Sequence, residues 1–103
     1  MIEVQILIPT EDNNKVRFLQ THHDVFQAEL IRLFGGFSLF PGVVAGGWQH
    51  AGTVYQDTTL VYAVSVSGII AQGDALREMA NFAKQHYQQL NVYVRYLGVS
   101  EIL

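Results

Sequence analysis

An α+β sandwich with the order strand, helix, strand, strand, helix, strand is what this 103-residue sequence predicts, and three observations predict it. Runs with period-two alternation stand near both ends of the chain. Two stretches carry apolar residues at helical spacing. A glycine-rich hairpin lies between those stretches. Two right-handed crossovers joined by a hairpin give the ferredoxin-like arrangement, a four-stranded antiparallel sheet with both helices on one face and the other face open. The length fits one such domain over residues 1–103, large enough to bury a core without disulfides.

The first strand is Ile2, Val4, Ile6 and Ile8 alternating with Glu3, Gln5 and Leu7, ended by Pro9. The polar stretch Thr10 to Lys15 reads as an exposed loop. Thr21, with Asp24 three residues on, reads as a capping-box variant; Phe26, Leu30, Leu33 and Phe34 continue at helical spacing to Gly35-Gly36, giving a helix over about 22–34. A positive φ at the helix stop is expected at Gly36. Six of the nine glycines fall between Gly35 and Gly52, alongside Pro41, so this stretch needs special backbone angles or close approach of chain segments. Val43 to His50 reads as a glycine-interrupted strand, Ala51-Gly52 as a tight turn, and Thr53 to Ser67 as a long strand. Asp74 is the expected N-cap of a second helix, whose stripe is Leu76, Met79, Ala80, Ala83, Tyr87 and Leu90. Val92, Val94 and Tyr96 alternate with Tyr93, Arg95 and Leu97 in a last strand. Gly98 to Leu103 either extend it or cross to a neighbour.

Composition narrows the function classes. Half the residues are hydrophobic and 15% are charged, which excludes a disordered chain. The absence of cysteine removes disulfides, thiolate nucleophiles and cysteine metal sites together. A net charge of −3 argues against a phosphate-backbone partner. No apolar run approaches the ~20 residues of a membrane span, and residues 1–30 lack the pattern of a secretory signal, so a cytoplasmic protein with no membrane partner is expected.

A two-residue turn at Ala51-Gly52 places His50 opposite Thr53, Trp48 opposite Tyr55, and Gly46 opposite Asp57. A bulge near Gly46-Gly47 would flip part of this register. Leu60, Tyr62, Val64 and Val66 form the bulkier set and should meet the helices. The Trp48 cluster therefore belongs to the open face, with Gln5, Leu7, Tyr93 and Arg95. Val61, Ala63 and Leu7 at the centre of that face call for a cover, and a second subunit in a homodimer or higher oligomer is the simplest one. The other reading of this face is a pocket for a small molecule between sheet, loops and partner.

Phe34-Gly35-Gly36-Phe37-Ser38, Gly46-Gly47-Trp48, Gly52, and Asp57 before Thr59-Leu60-Val61 form a pattern over about residues 34–64. On these residues the chain resembles a family of small uncharacterised bacterial proteins. That family's elements are FGG-aromatic-Ser/Thr, a GGW or G-x-W element, a glycine turn and an acidic residue opening the next strand. Ser38 stands where Thr is usual and Asp57 where Glu is usual. The resemblance implies a ferredoxin-like fold and no established activity.

No phosphate loop or nucleophile elbow is present, and no cofactor is expected. Four histidines invite a metal reading, but none has a ligand partner at recognised spacing. His22 and His23 read as the exposed first turn of the first helix, and His86 has no His, Asp or Glu at i±3 or i±4. No metal is expected, unless His50, Asp57 and one of His22 or His23 converge. His50 with Asp57 and Tyr55 could do acid–base work, although the register sets His50 and Asp57 ~10 Å or more apart. Asp57 could instead accept hydrogen bonds from the amides of Gly35-Gly36 or Gly46-Gly47. Tyr93 with Arg95 gives a faint RNA-binding echo, but the other strands lack stacking aromatics and nucleic acid is disfavoured. The expected functional surface is Trp48, His50, Tyr55, Asp57 and Arg95, backed by Gly35, Gly36, Gly46 and Gly47. Its expected role is binding or scaffolding. The alternative is a small dimeric α+β barrel enzyme acting on an organic substrate.

Overall fold

The computed structural model describes residues 1–99. Strand β1 (Ile2–Pro9) is followed by helix α1 (Gln20–Phe34), strands β2 (Ser38–Leu39), β3 (Val44–His50) and β4 (Thr53–Val66), helix α2 (Gly73–His86) and strand β5 (Tyr93–Val99). All strand pairs are antiparallel. β1 is central, with β4 on one side and β5 on the other, and β2 and β3 both pair with β4. The ferredoxin-like α+β architecture predicted from the pattern is therefore present, with five strand segments where four were expected.

The extra segment comes from the glycine-rich stretch. Leu39 pairs with Tyr62 and Val44 with Thr59, so the four residues 40–43 span only two on β4. Phe40 donates its backbone N–H to the Val61 carbonyl at 3.0 Å. Pro41 then has no N–H to offer, and Gly42 turns the chain at φ 77°. The predicted second strand, Val43 to His50, is thus β3, beyond the core, and β2 is a short added pairing ahead of it, beside the core.

The core lies between the helices and one sheet face. Val4, Ile6 and Ile8 of β1, with Tyr62, Val64 and Val66 of β4, meet Phe26 and Leu30 of α1, Leu76, Met79 and Ala83 of α2, and Tyr87. Each aliphatic side chain buried there contributes roughly 1.5–3 kcal/mol relative to exposure. The helices run antiparallel, because His22 of α1 meets His86 of α2 while Arg32 at the other end of α1 pairs with Glu78.

Several boundaries differ from the sequence reading. α1 starts at Gln20 with Leu19 as N-cap, and Asp24 accepts a bond from Gln20 Nε2 at 3.0 Å instead of closing a capping box with Thr21. Asp74 sits inside the first turn of α2, paired with Arg77 at 2.9 Å; the N-cap is Gln72. α2 ends at His86, and Gln88 at φ 53° turns the chain, so Leu90 leaves the stripe and is 93% exposed. β5 takes in Gly98 and Val99, which extends the last strand as one of the two alternatives had it, while 100–103 lie outside the described residues.

The helix stop is at Gly35, with φ 80° and its N–H donated to the Ile31 carbonyl at 2.8 Å. Gly36 is not in the left-handed region. A Cβ at Gly35 meets no atom within 4 Å, so its cost is purely conformational. Gly35→Val is expected to lose about 1 kcal/mol or more in denaturant unfolding, with Gly36→Val close to the parent protein. Equal losses at the two positions would refute this assignment.

Candidate binding face

The hairpin register follows from its turn. Ala51 and Gly52 take φ 51° and 80°, the left-handed pair that matches the twist of two flanking strands. His50 pairs with Thr53, Trp48 with Tyr55 and Gly46 with Asp57, without a bulge at Gly46-Gly47. Parity then carries Trp48, Tyr55 and Asp57 to the face opposite the helices, which Thr59, Val61 and Ala63 continue along β4. Leu7 with Tyr93, and Gln5 with Arg95, share that face through β1 and β5.

Two regions make up this face. Over the domain body, Val61 and Ala63 are each only 5% exposed within one subunit, whereas Leu7 is half-buried and Tyr93 beside it is 63% exposed. The other region is the arm formed by β3 and the first half of β4. Every residue of β3 is exposed, and β3 has no second partner strand among the described residues. The Trp48 indole, 52% exposed, stacks on Tyr55 with centroids 4.6 Å apart and planes 19° apart. His50 lies beyond it, tilted, at 6.4 Å.

Where the arm leaves the body, a groove of about 570 Å³ opens, lined by Trp48, Asp57, Thr59, Asn91, Tyr93 and Arg95 among others. Gly46 and Gly47 supply bare backbone at its rim. A Cβ at Gly46 would stand 2.8 Å from Asp57 Oδ1, so the carboxylate lies in the space glycine leaves free. The expected bonds from glycine amides to Asp57 are not formed. No described residue donates a hydrogen bond to its carboxylate or pairs with its charge. Thr59 Oγ1 is buried in the same region with no partner among the described residues. Arg95 folds back over Tyr93, its guanidinium carbon 5.3 Å from the ring centroid.

Trp48, Asp57 and Arg95 thus meet in one groove with Gly46 and Gly47. Tyr55 supports Trp48 from outside it, and His50 stands further toward the turn. Gly35 and Gly36 end α1 and do not line it. His50 and Asp57 are four residue steps apart along the hairpin, ~13 Å, and share no hydrogen bond, so no acid–base pair forms from them in one subunit. Among the described residues no group of three or more His, Asp or Glu is placed to hold a metal ion.

Sequence reasoning missed a second cluster, on the helix side. His22 and His86 stack face to face at 3.8 Å, and the Nε2–H of each donates to the other's backbone carbonyl at 2.7 Å. Phe18 stacks on His22 at 4.8 Å and Phe82 on His86 at 5.2 Å, making a column of four rings. His23, expected at the surface, is 7% exposed, and its Nδ1 shares a 2.8 Å hydrogen bond with the Tyr87 hydroxyl. Burial, then the charges available to His22 and His86, lowers the pKa of His23. Burial raises that of the Tyr87 phenol, which stays protonated. The signal for this cluster was topological: antiparallel helices bring the start of the first beside the end of the second.

Neither protein-family models nor curated proteins give a match to the chain. Solved structures do. The divalent cation tolerance protein CutA1 of Thermus thermophilus is 16% identical over 99% of this chain and 86% of its own, with a TM-score of 0.66. CutA1 of Oryza sativa is 16% identical over 99% and 82%, with a TM-score of 0.69. A phage SAM lyase in complex with S-methyl-5'-thioadenosine is 12% identical over 94% and 80%, with a TM-score of 0.66. Likenesses this low in identity establish the fold and nothing finer: the chain has the ferredoxin-like architecture that these three proteins share.

Proposed function

We propose that the chain is a cytoplasmic, homo-oligomeric binding module in which the arm and the open sheet face of one subunit meet a neighbouring copy around a small-molecule groove. The observation that carries this reading is the arm. A two-stranded ribbon is marginal alone in water, yet this one holds a stacked Trp48–Tyr55 pair and exposed Val44 and Val54 with no core beneath them. Its outer edge offers unpaired backbone groups, the kind of edge another strand or subunit covers. A chain without cysteine gains no disulfide from an oxidising compartment, which suits the cytoplasm.

The cation tolerance named for the CutA1 proteins finds no ready ligand set among the described residues of one subunit. An enzyme is favoured by one observation, that a phage lyase has this fold. The acid–base reading of His50 with Asp57 and Tyr55 lacks its His50–Asp57 contact, since the two stand four residue steps apart.

Native mass spectrometry tests the assembly. The expected result is an integer oligomer at micromolar concentration that shifts toward monomer in Trp48→Ala, with the far-ultraviolet circular dichroism retained. A monomeric parent protein would overturn the reading.

A further inference from the structure

Independently of the groove, we infer that the pocket at the start of α1 binds a small organic carboxylate with an apolar body. This pocket, of about 380 Å³, is lined by Arg17, Phe18, Leu19, His23, Val43 and Leu60 among others. Three kinds of hydrogen-bond donor meet there. α1 has no capping side chain, because Leu19 holds the N-cap position, and no acidic residue stands in its first turn. The N–H groups of Gln20 and Thr21 have no protein partner among the described residues, and free amides at the positive end of a helix dipole attract an anion. Arg17, which makes no ion pair among the described residues, adds a full positive charge.

His23 is the buried donor of the set. Burial keeps its imidazole neutral at pH 7 and keeps the Tyr87 phenol protonated. The Tyr87 hydroxyl has no other partner among the described residues, so its hydrogen is satisfied by donation to His23 Nδ1. The proton of the neutral ring therefore sits on Nε2. That Nε2–H has no protein acceptor among the described residues, yet it is not sealed off, since Thr59 Oγ1 is the one fully enclosed side-chain polar atom left without a partner there. It opens on the pocket that the ring lines. The other polar neighbours are engaged: Thr10 Oγ1 bonds to Thr58, and Gln20 Nε2 holds Asp24. No carboxylate lines the pocket. Phe18, Leu19, Val43 and Leu60 form its other wall, which suits an apolar body on the ligand and opposes a phosphate, whose further charged oxygens would face carbon.

Benzoate is the probe, with its uncharged isostere benzamide and inorganic phosphate as controls. Titrated into the full-length protein labelled with nitrogen-15, benzoate is expected to shift the Gln20 and Thr21 amide signals and the His23 imidazole signal saturably. It should bind at least about tenfold more tightly than either control. Arg17→Gln, at an exposed position that leaves the core intact, should weaken it about tenfold. Leu19→Asp should abolish it, because a carboxylate at the N-cap takes the same amides, whereas Leu19→Ala at this 73% exposed position keeps the affinity within about threefold. Equal binding of benzamide or phosphate, shifts confined to other residues, an unchanged affinity in Leu19→Asp, or no saturable shift at all would each overturn the inference. None of these outcomes touches the assembly reading, which is judged by the mass of the oligomer.

Discussion

Tyr87→Ala is expected to remove about 3–5 kcal/mol of stability, the largest loss of any substitution considered for this chain. Tyr87 is fully buried just past the end of α2, and Phe18, His22, Phe26 and His86 stand edge-on around its ring. Its hydroxyl satisfies His23 Nδ1. Truncation therefore opens a cavity and strands a buried imidazole at once, whereas Tyr87→Phe does only the second and should cost about 1–2 kcal/mol. Denaturant unfolding of the two variants at neutral pH separates the terms. Equal losses would mean that packing contributes little here, and a loss under about 1 kcal/mol in Tyr87→Ala would contradict the description of the core.

The second large effect is a loss of stability in acid. The folded-state pKa of His23 lies below its unfolded value of 6.5, first because of burial and then because His22 and His86 stand close by. At pH values between the folded and unfolded pKa, the unfolded chain binds more protons than the folded one, so stability rises with pH. The contribution is complete above about pH 6.5 and is lost as pH falls through the lower, folded value. Asp24 opposes the trend and Arg17 adds to it. Thermal midpoints taken from pH 7.5 down to pH 5 should fall, and His23→Gln should flatten the slope. A midpoint that does not change over that range would refute the buried neutral imidazole.

The hairpin was the most legible part of the sequence, because a two-residue turn and a period of two leave no freedom in pairing once the turn is placed. The same parity put Tyr62, Val64 and Val66 on the core side and Trp48, Tyr55 and Asp57 on the other. Helix ends were less legible, since tertiary contacts decided them. Asp12 folds the preceding loop by accepting the N–H of Asn14 and of Val16, and Phe18 N–H binds the Thr10 carbonyl. The chain is thereby delivered to α1 two residues earlier than the Thr21–Asp24 spacing suggests. Gln88 in the left-handed region carries no sequence signal comparable to glycine, which is why Leu90 was placed in the stripe.

The candidate site was legible in part. Trp48, Asp57, Thr59 and Arg95 could be assigned to one face from register alone, but Asn91, which lies in no strand, joins them only in the folded structure. The histidine column was hidden because ligand spacing within one helix was the wrong question. His22 and His86 are 64 residues apart and meet through the helix pair.

β4 serves two masters along its 14 residues. From Val61 to Val66 nearly every position is buried, and a change there is a change to the fold. From Thr53 to Asp57 every position is exposed, and a change there alters what the arm presents while the core goes untouched. Sequence drift can therefore rewrite the first half of this strand at little structural cost. One architecture can in this way come to serve unrelated ligands and partners without having to be refolded.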